Sequence, residues 1–245
     1  MKAEPQVQRR LLDLQAIDTT LAQLAHRRRS LPERAELEGL ARELSGLEDE
    51  RVRAQVAVDD LDRDIARLEK DIDQVRARKS KDETRLASGS GPARELEALQ
   101  HELVSLNRRQ SDLEDAELEL MEQRETAQAT LDGIEARIAE TRDRRAAAEQ
   151  RRDESLAAIA KEEEFKQGAR KPLAADLPAD LVSLYDKIRE DTGLGAALLT
   201  SGRCGGCRLE LSGADLARIR RSDPDEVVRC EDCRRIMVRT NESGL

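Results

Sequence analysis

Apolar residues recur along two long stretches of the chain, at spacings that alternate between three and four. The first series has twelve positions, eleven of them apolar: Leu37, Leu40, Leu44, Leu47, Arg51, Ala54, Val58, Leu61, Ile65, Leu68, Ile72 and Val75. The second has thirteen, ten of them apolar: Leu96, Leu99, Leu103, Leu106, Gln110, Leu113, Glu117, Leu120, Arg124, Ala127, Leu131, Ile134 and Ile138. A mean spacing of 3.5 keeps one stripe of each helix facing its partner as the helices supercoil. The pattern predicts two coiled-coil helices that pack against each other.

The only cluster of glycine, serine and proline in the first 160 residues lies between the two series, at Ser88–Pro92. Glycine favours the end of a helix, and proline suits the first turn of the next. A short connection makes long helices antiparallel neighbours. Residues 14–87 and 93–166 are therefore predicted to form a hairpin with two arms of 74 residues, each about 110 Å long if wholly helical. Such a hairpin buries its seam within one chain, so a monomer is sufficient. Long coiled coils can also exchange or pair their arms between chains, and the oligomeric state stays open.

A phase error interrupts the stripe near residue 31. Leu31 and Leu37 are six residues apart instead of seven, and Pro32 would break a helix interior. Ser30 and Glu33 have the spacing of a capping box. We expect a kink or a helix restart at residues 30–32.

Four seam positions carry polar side chains: Arg51, Gln110, Glu117 and Arg124. Polar residues in a two-stranded seam set the register and meet solvent at its edge. Partner binding is the alternative interpretation of these four residues.

Beyond Phe165 the repeat ends and the chain is punctuated at Lys171-Pro172, Leu177-Pro178 and Gly193–Gly195. An amphipathic helix is predicted at Ala179–Arg189, with its apolar face packed on the module that follows or on the base of the hairpin. Short strands are predicted at 195–199, 227–228 and 236–238, and a short helix capped by Ser212 extends to Arg220. The predicted domains are a hairpin at 1–170 and a linker helix with a small module at 171–245.

Composition supports a mostly α fold and excludes several classes of protein. Charged residues make up 39% of the chain and aromatic residues 1%, which is typical of long helices that bury a narrow stripe. No run of 18 apolar residues occurs, so we expect no membrane association through a spanning helix. The net charge of −9 argues against non-specific attraction of the whole molecule to nucleic acid or anionic lipid.

Two cysteine pairs near the C-terminus predict one structural zinc ion. Cys204 and Cys207 are separated from Cys230 and Cys233 by 22 residues, and the chain has no other cysteine. In each pair the two-residue gap allows a tight turn, or knuckle, that directs both sulfurs at one ion. Two such knuckles can offer four thiolates to one tetrahedral Zn²⁺. The Gly205-Gly206 turn is expected to use positive φ angles. The metal is expected to supply on the order of 10 kcal/mol or more of the folding free energy of this small module.

Two alternatives for the cysteines remain. A redox dithiol is one, although a catalytic C-x-x-C usually occurs once, at the start of a helix in a βαβ unit. Two disulfides are the other, and they require an oxidising compartment. No secretory signal precedes the first helix, so the predicted location is the cytoplasm.

The cysteine module is also rich in arginine. From Leu199 to Thr240 there are nine arginines and seven acidic residues. Four thiolates around one Zn²⁺ would cancel this excess unless the arginines gather on one face. The candidate residues for binding nucleic acid or a protein partner are Arg203, Arg208, Arg218, Arg220, Arg221, Arg234, Arg235 and Arg239.

An enzyme is not predicted, and no small-molecule substrate is expected. The two histidines, His26 and His101, lie on predicted helices among charged neighbours. Four cysteine ligands close the zinc shell, so no coordination position remains to activate water. We therefore predict no catalytic residues.

Four segments and the cysteine pairs together resemble a known family. The segments are Leu11–Asp18, Ser30–Pro32, Arg94–Gln100 and Leu184–Arg189. The chain resembles, over nearly its full length, the bacterial coiled-coil proteins with a C-terminal four-cysteine zinc ribbon. The resemblance implies a long, bent helical hairpin, one zinc ribbon and no known catalytic centre. Many such ribbons have glycine where this chain has Arg234, so the second knuckle is expected to turn differently.

The resemblance also implies a function in binding. In some relatives the protein binds an alternative sigma factor or takes part in flagellar or type III secretion assembly, and RNA binding has been proposed. The first hypothesis is therefore a non-enzymatic scaffold with protein partners, acting in the regulation of transcription or in assembly. The second is an RNA- or DNA-binding protein that uses its arginine-rich ribbon.

Overall fold

A computed structural model describes all residues, 1–245. It has five helices: α1 (Pro5–Arg29), α2 (Pro32–Ala87), α3 (Ala93–Ala175), α4 (Ala179–Thr192) and α5 (Gly213–Arg221). Four short strands complete it: β1 (Ala196–Thr200), β2 (Arg203–Cys204), β3 (Val228–Arg229) and β4 (Ile236–Val238). The predicted fold class, mostly α with a helical hairpin and a small C-terminal sheet, is confirmed.

The chain divides into two compact units, residues 35–149 and residues 1–34 together with 150–245. The domain division predicted at residues 170 and 171 follows the change in sequence pattern and stays a prediction.

Residues 35–149 form a helical hairpin with the predicted seam. Every position of both series is buried or half-buried, including the polar ones. Leu44, Leu47, Ile134 and Ile138 form one buried cluster. The seam also continues past Ile138 through Thr141 and Ala148, which are 2% and 0% exposed. The apolar pattern did not mark these two positions because their side chains are small or polar.

Ion pairs join the two helices of this unit along their outer edges: Arg76–Glu114, Arg78–Glu102, Arg124–Asp62, Arg137–Glu50, Arg142–Glu48 and Arg144–Glu43. Exposed pairs of this kind each contribute only about 0.2–1 kcal/mol. Arg124 pairs with Asp62 at 3.0 Å, and Gln110 donates to Glu114 at 2.8 Å. These two polar seam residues therefore make hydrogen bonds at the edge of the seam.

The helix boundaries confirm two predicted breaks and correct one detail. α1 ends at Arg29 and α2 begins at Pro32, and the turn at 88–92 separates α2 from α3. The predicted capping box at Ser30 and Glu33 is wrong, however. The hydroxyl and the backbone N–H of Ser30 both donate to the carbonyl of His26 at 3.0 Å, so Ser30 closes α1 and does not cap α2.

The expected interruption at Lys171-Pro172 is also wrong, because α3 continues through it to Ala175. Pro172 lies in the last turn, where a missing N–H removes a single helical hydrogen bond. Its carbonyl still accepts from the amide of Asp176 at 3.1 Å. The chain breaks at Leu177-Pro178, since a proline disfavours helical backbone at the residue before it.

In the other unit, the four strands form one sheet in the order β2-β1-β4-β3. β1 and β4 are parallel at its centre, and β2 and β3 pair antiparallel at the edges. One buried cluster joins α1, α4 and the sheet, and its members are Ala3, Leu11, Leu14, Leu177, Leu181, Tyr185, Ile188, Ala196, Ile236 and Val238. The predicted amphipathic helix therefore packs on the sheet module, and it extends to Thr192.

A buried polar network also connects these elements. Asp18 of α1 is 4% exposed and accepts hydrogen bonds from Arg170 at 2.7 Å and from the Tyr185 hydroxyl at 2.9 Å. Gln15, one turn earlier, accepts from the backbone N–H of Gly195 at 2.7 Å. Because buried polar groups are stable only when they are paired, this network fixes how α1, α3 and α4 meet next to β1.

Candidate metal centre and arginine surface

The four cysteine sulfurs converge on one point. The Sγ atoms of Cys204 and Cys233 are 3.8 Å apart, as are those of Cys207 and Cys230, and all four ligand atoms lie within 4.8 Å of one another. Tetrahedral zinc with Zn–S bonds of about 2.3 Å separates its sulfurs by about 3.8 Å. A disulfide needs about 2.05 Å. The spacing fits one Zn²⁺ bound by four thiolates, and no two cysteines are bonded to each other.

The two knuckles have the same backbone geometry. The amide of Arg208 donates to the carbonyl of Cys204 at 2.7 Å, and that of Arg234 to the carbonyl of Cys230 at 2.9 Å. The amide of the first cysteine in each pair donates to the carbonyl five residues further on, at 3.0 Å in both. Both arginines have a φ angle of 64°. The expectation that Arg234 would make the second knuckle turn differently is therefore wrong.

The glycines of the first knuckle are needed for space, and the expectation of positive φ at Gly205 and Gly206 is wrong. The amide of Gly205 donates to the carbonyl oxygen of Leu198 at 2.8 Å, and a Cβ added at Gly205 would lie 2.7 Å from that oxygen. A Cβ at Gly206 would lie 2.6 Å from Cδ of Arg235. The close passage of β1 and of one arginine side chain therefore explains the Gly-Gly pair.

The environment of the thiols differs from one cysteine to the next. Burial raises the pKa of Cys230 to about 12 and also raises the pKa of Cys204. At Cys233 burial is outweighed by hydrogen bonds from the Arg235 amide and the neighbouring thiols, and its pKa falls to about 7. Since zinc binds thiolates, it must displace protons from this cluster, and its affinity should fall as the pH is lowered.

Three of the candidate arginines are engaged within the protein, two in ion pairs and one in hydrogen bonds to backbone carbonyls. Arg203 pairs with Glu210 at 3.3 Å, and Arg218 pairs with Glu231 at 2.7 Å. The half-buried Arg239 donates to five backbone carbonyls, those of Ile219, Ser222, Asp223, Pro224 and Glu226. Arg239 thus holds the loop that connects α5 to β3.

The other five candidates lie in different surroundings. On α5, Arg220 donates to the carbonyl of Gly244 and Arg221 to that of Ala217. Arg208 and Arg234 are exposed after the two knuckles. Arg235 is half-buried, donates to the carbonyl of Thr192 at 2.8 Å, and has an Nε atom without a partner.

One cleft beside the second knuckle brings Arg234 and Arg235 together with residues that the sequence did not single out. It has a volume of about 710 Å³ and includes Lys187 of α4 and Arg229 of β3. The position of Arg229 directly before Cys230 was visible in the sequence. Lys187 could not be associated with the knuckle, because only the packing of α4 against the sheet places it there.

Known proteins agree with this architecture. The model of the CT398-like coiled coil hairpin domain matches residues 14–193, and that of the C4-type zinc ribbon domain matches residues 203–237. The first match spans well over half of the chain, so the chain belongs to the CT398-like coiled-coil hairpin family and carries a C4-type zinc ribbon. The predicted family resemblance and the single zinc ion are confirmed at this level.

Similar sequences come from mycobacteria. An uncharacterized protein of Mycobacterium tuberculosis is 41% identical over 239 residues, which cover 98% of each chain. An uncharacterized protein of Mycobacterium leprae is 32% identical over 213 residues, which cover 87% of this chain and 92% of that protein. The full architecture is thus shared with bacterial relatives.

Solved structures show the same fold. A Mycobacterium smegmatis protein has a TM-score of 0.84 and 36% identity, with 98% of this chain and 100% of that chain covered. CT398 from Chlamydia trachomatis has a TM-score of 0.64 at 20% identity, with 95% and 97% covered. HP0958 from Helicobacter pylori has a TM-score of 0.51 at 15% identity, with 96% and 98% covered. The last two likenesses bear on the fold alone.

No helix is both long and apolar enough to cross a membrane.

Proposed function

We propose that this protein is a cytoplasmic, non-enzymatic adaptor, in which the hairpin docks protein partners and the zinc ribbon is a recognition module. The observation that carries this proposal is the convergence of all four cysteine sulfurs on one point. All four sulfurs face one point, so a zinc ion there has a complete shell and no position for substrate or water. The metal then stabilises a surface and takes no part in a reaction. The regulation of transcription and the assembly of larger complexes are the processes such an adaptor would serve.

The surface of the hairpin also supports docking of proteins. Within residues 35–149 the seam residues are already buried between the two helices, and the outward positions are mostly charged. Several large apolar side chains nevertheless stay exposed there: Val52, Val56, Val104, Leu118 and Met121. Mixed charge with isolated apolar side chains suits transient contacts with other proteins.

Affinity capture from the native cell tests this proposal. The zinc-loaded full-length protein, carrying a photo-crosslinker on the hairpin or on the ribbon, should capture defined proteins equally well from lysates with and without nuclease treatment. Capture that disappears with nuclease treatment, or crosslinking to nucleic acid alone, would contradict the adaptor function.

The second candidate is binding of RNA or DNA through the ribbon, favoured by the arginines on α5 and the knuckles. Its test is a titration of labelled single-stranded RNA and duplex DNA at two salt concentrations. Phosphate contacts would make the affinity fall steeply with salt. No binding at the lower salt concentration would eliminate this candidate.

A further inference from the structure

The cleft beside the second knuckle combines an apolar surface with charged side chains. It lies between α4 and the segment after β3, and its volume of about 710 Å³ is in the range of pockets that bind ligands. The half-buried Leu184 supplies the apolar part, and Ile188, which is 5% exposed, lies at the base of the cleft. Six charged residues complete most of the lining: Lys187, Asp191, Arg229, Asp232, Arg234 and Arg235.

The cations of this cleft are only partly used within the protein. The side chains of Lys187 and Arg234 make no hydrogen bond or ion pair. Arg229 uses its Nε for the carbonyl of Arg234, and Arg235 uses one terminal nitrogen for that of Thr192. The terminal N–H groups of Arg234 and Arg229 can bind a carboxylate with two parallel hydrogen bonds, and the ammonium of Lys187 can donate to a carboxylate oxygen.

The charge balance argues against nucleic acid, and the unpaired Lys187 and Arg234 argue for a peptide with a few carboxylates. The lining has two more cations than carboxylates, but the zinc centre with four thiolates carries about two negative charges, and its ligand Cys233 borders the cleft. Nucleic acid binding depends on a large excess of positive charge along the phosphate backbone, which this cleft lacks. It also lacks aromatic side chains on which bases could stack. Individual carboxylates can still be matched to individual cations.

We propose that this cleft binds a short acidic segment of a partner protein. A carboxylate of that segment is held by Arg234 and Lys187, and an aliphatic side chain next to it packs on Leu184. This inference rests on the adaptor function proposed above and gives its ribbon a defined ligand chemistry.

The two knuckles supply a matched control. Arg208 and Arg234 have the same left-handed backbone and both are exposed, but only Arg234 borders the cleft. Glycine is favoured at a positive φ angle, so Arg208→Gly and Arg234→Gly should both keep the knuckles folded. Any difference between the two variants then reports on the cleft. Lys187→Ala on the exposed face of α4 is a second variant that leaves the knuckles unchanged.

The experiment is a fluorescence anisotropy titration of the zinc-loaded full-length protein. The probe is a fluorescein-labelled twelve-residue peptide in which glutamate and leucine alternate. Two control peptides have glutamine in place of glutamate or serine in place of leucine. We expect the first peptide to bind and each control peptide to bind more weakly. Arg234→Gly and Lys187→Ala should each weaken binding about tenfold, the effect of losing roughly one charge-assisted hydrogen bond, whereas Arg208→Gly should not change it.

Three results would overturn the proposal. The first is the absence of peptide binding at about millimolar concentration. The second is an equal loss in the Arg208 and Arg234 variants, and the third is binding of a labelled single-stranded RNA in place of the peptide. If the peptide fails while crosslinked proteins are still captured through the hairpin, the cleft proposal is wrong and the adaptor function stands.

Discussion

The hairpin of residues 35–149 and the zinc module of residues 196–238, which includes strands β1–β4, reach stability in different ways. In the hairpin, buried residues recur along the seam for about a hundred residues of two helices. In the module, the strands are two to five residues long, and one buried cluster consists largely of residues around the cysteines. Stability is therefore distributed in the first region and concentrated on one metal site in the second. Substitutions of equal size should have unequal effects in the two regions.

The largest effect is expected from removing a zinc ligand. Cys230→Ser should unfold the ribbon, because zinc supplies on the order of 10 kcal/mol or more to such modules. Residues 35–149 should stay helical, since their seam contains none of the cysteines. Hydrogen exchange read by mass spectrometry would show rapid exchange in β1–β4 and unchanged protection in the hairpin. Glu231→Ser in the same knuckle should retain zinc. Loss of protection in both regions would show that the hairpin depends on the metal.

The next effect is expected at the buried network around Asp18. Asp18→Ala leaves Arg170 and the Tyr185 hydroxyl without their shared acceptor. Breaking a buried pair costs about 3–5 kcal/mol. The loss should lie at or below the lower end, because Arg170 is partly exposed and keeps Asp186 at 2.6 Å, and the Tyr185 hydroxyl still has Gln15 at 3.2 Å. Denaturant unfolding of the full chain should show this loss, with Asp18→Asn intermediate. The exposed Asp13 on the same helix is the control, and an equal loss in Asp13→Ala would contradict the assignment.

Two glycine substitutions should change stability in opposite directions. Gly205→Ala would place a Cβ 2.7 Å from the carbonyl oxygen of Leu198, so it should destabilise the ribbon by about 1–3 kcal/mol. Apart from its chain neighbours and the nearby backbone of its own helix, Gly133 of α3 has no atom within 4 Å of an added Cβ, so Gly133→Ala should stabilise the hairpin by about 1 kcal/mol. Thermal unfolding would measure the change in stability at Gly133, and competition with a zinc chelator would measure the change at Gly205. Equal signs would contradict the contrast between the regions.

The smallest effect is expected at the exposed ion pairs of the hairpin. Arg124→Ala removes the pair with Asp62 and should cost less than about 1 kcal/mol. A double-mutant cycle with Asp62→Ala would isolate the coupling free energy. A coupling well above that value would mean that single pairs, and not the repeated seam, control the stability of the hairpin.

The parts of the fold that depend on local repetition could be predicted residue by residue. Every predicted seam position is buried or half-buried, and Ser212 caps α5 by accepting a hydrogen bond from Asp215 as its spacing indicated. The restart at Pro32 and the turn at 88–92 were also predicted. These features follow from helical periodicity and from the backbone limits of proline and glycine.

Features that depend on distant contacts were missed or misassigned. Lys2 pairs with Glu226 in an antiparallel bridge, and nothing in the first residues predicts this. Ser30 was misassigned for a local reason: it has the spacing of an N-cap, but its hydroxyl donates to the carbonyl of His26, four residues earlier, and so closes α1. The role of Gly205 was assigned to backbone conformation, whereas the passage of Leu198 beside it decides the requirement.

The hairpin, the two knuckles and the capacity for one zinc ion follow from the amino-acid sequence, because the heptad repeat and each C-x-x-C pair are short-range patterns. Which arginines are free depends instead on the neighbours that surround each of them in the folded chain. Arg239 is enclosed by carbonyls from a loop 13 to 20 residues away, whereas Arg234 borders a cleft that forms when α4 packs against the sheet. Charge is a property of the residue, but its availability to a partner depends on the neighbours that folding brings to it.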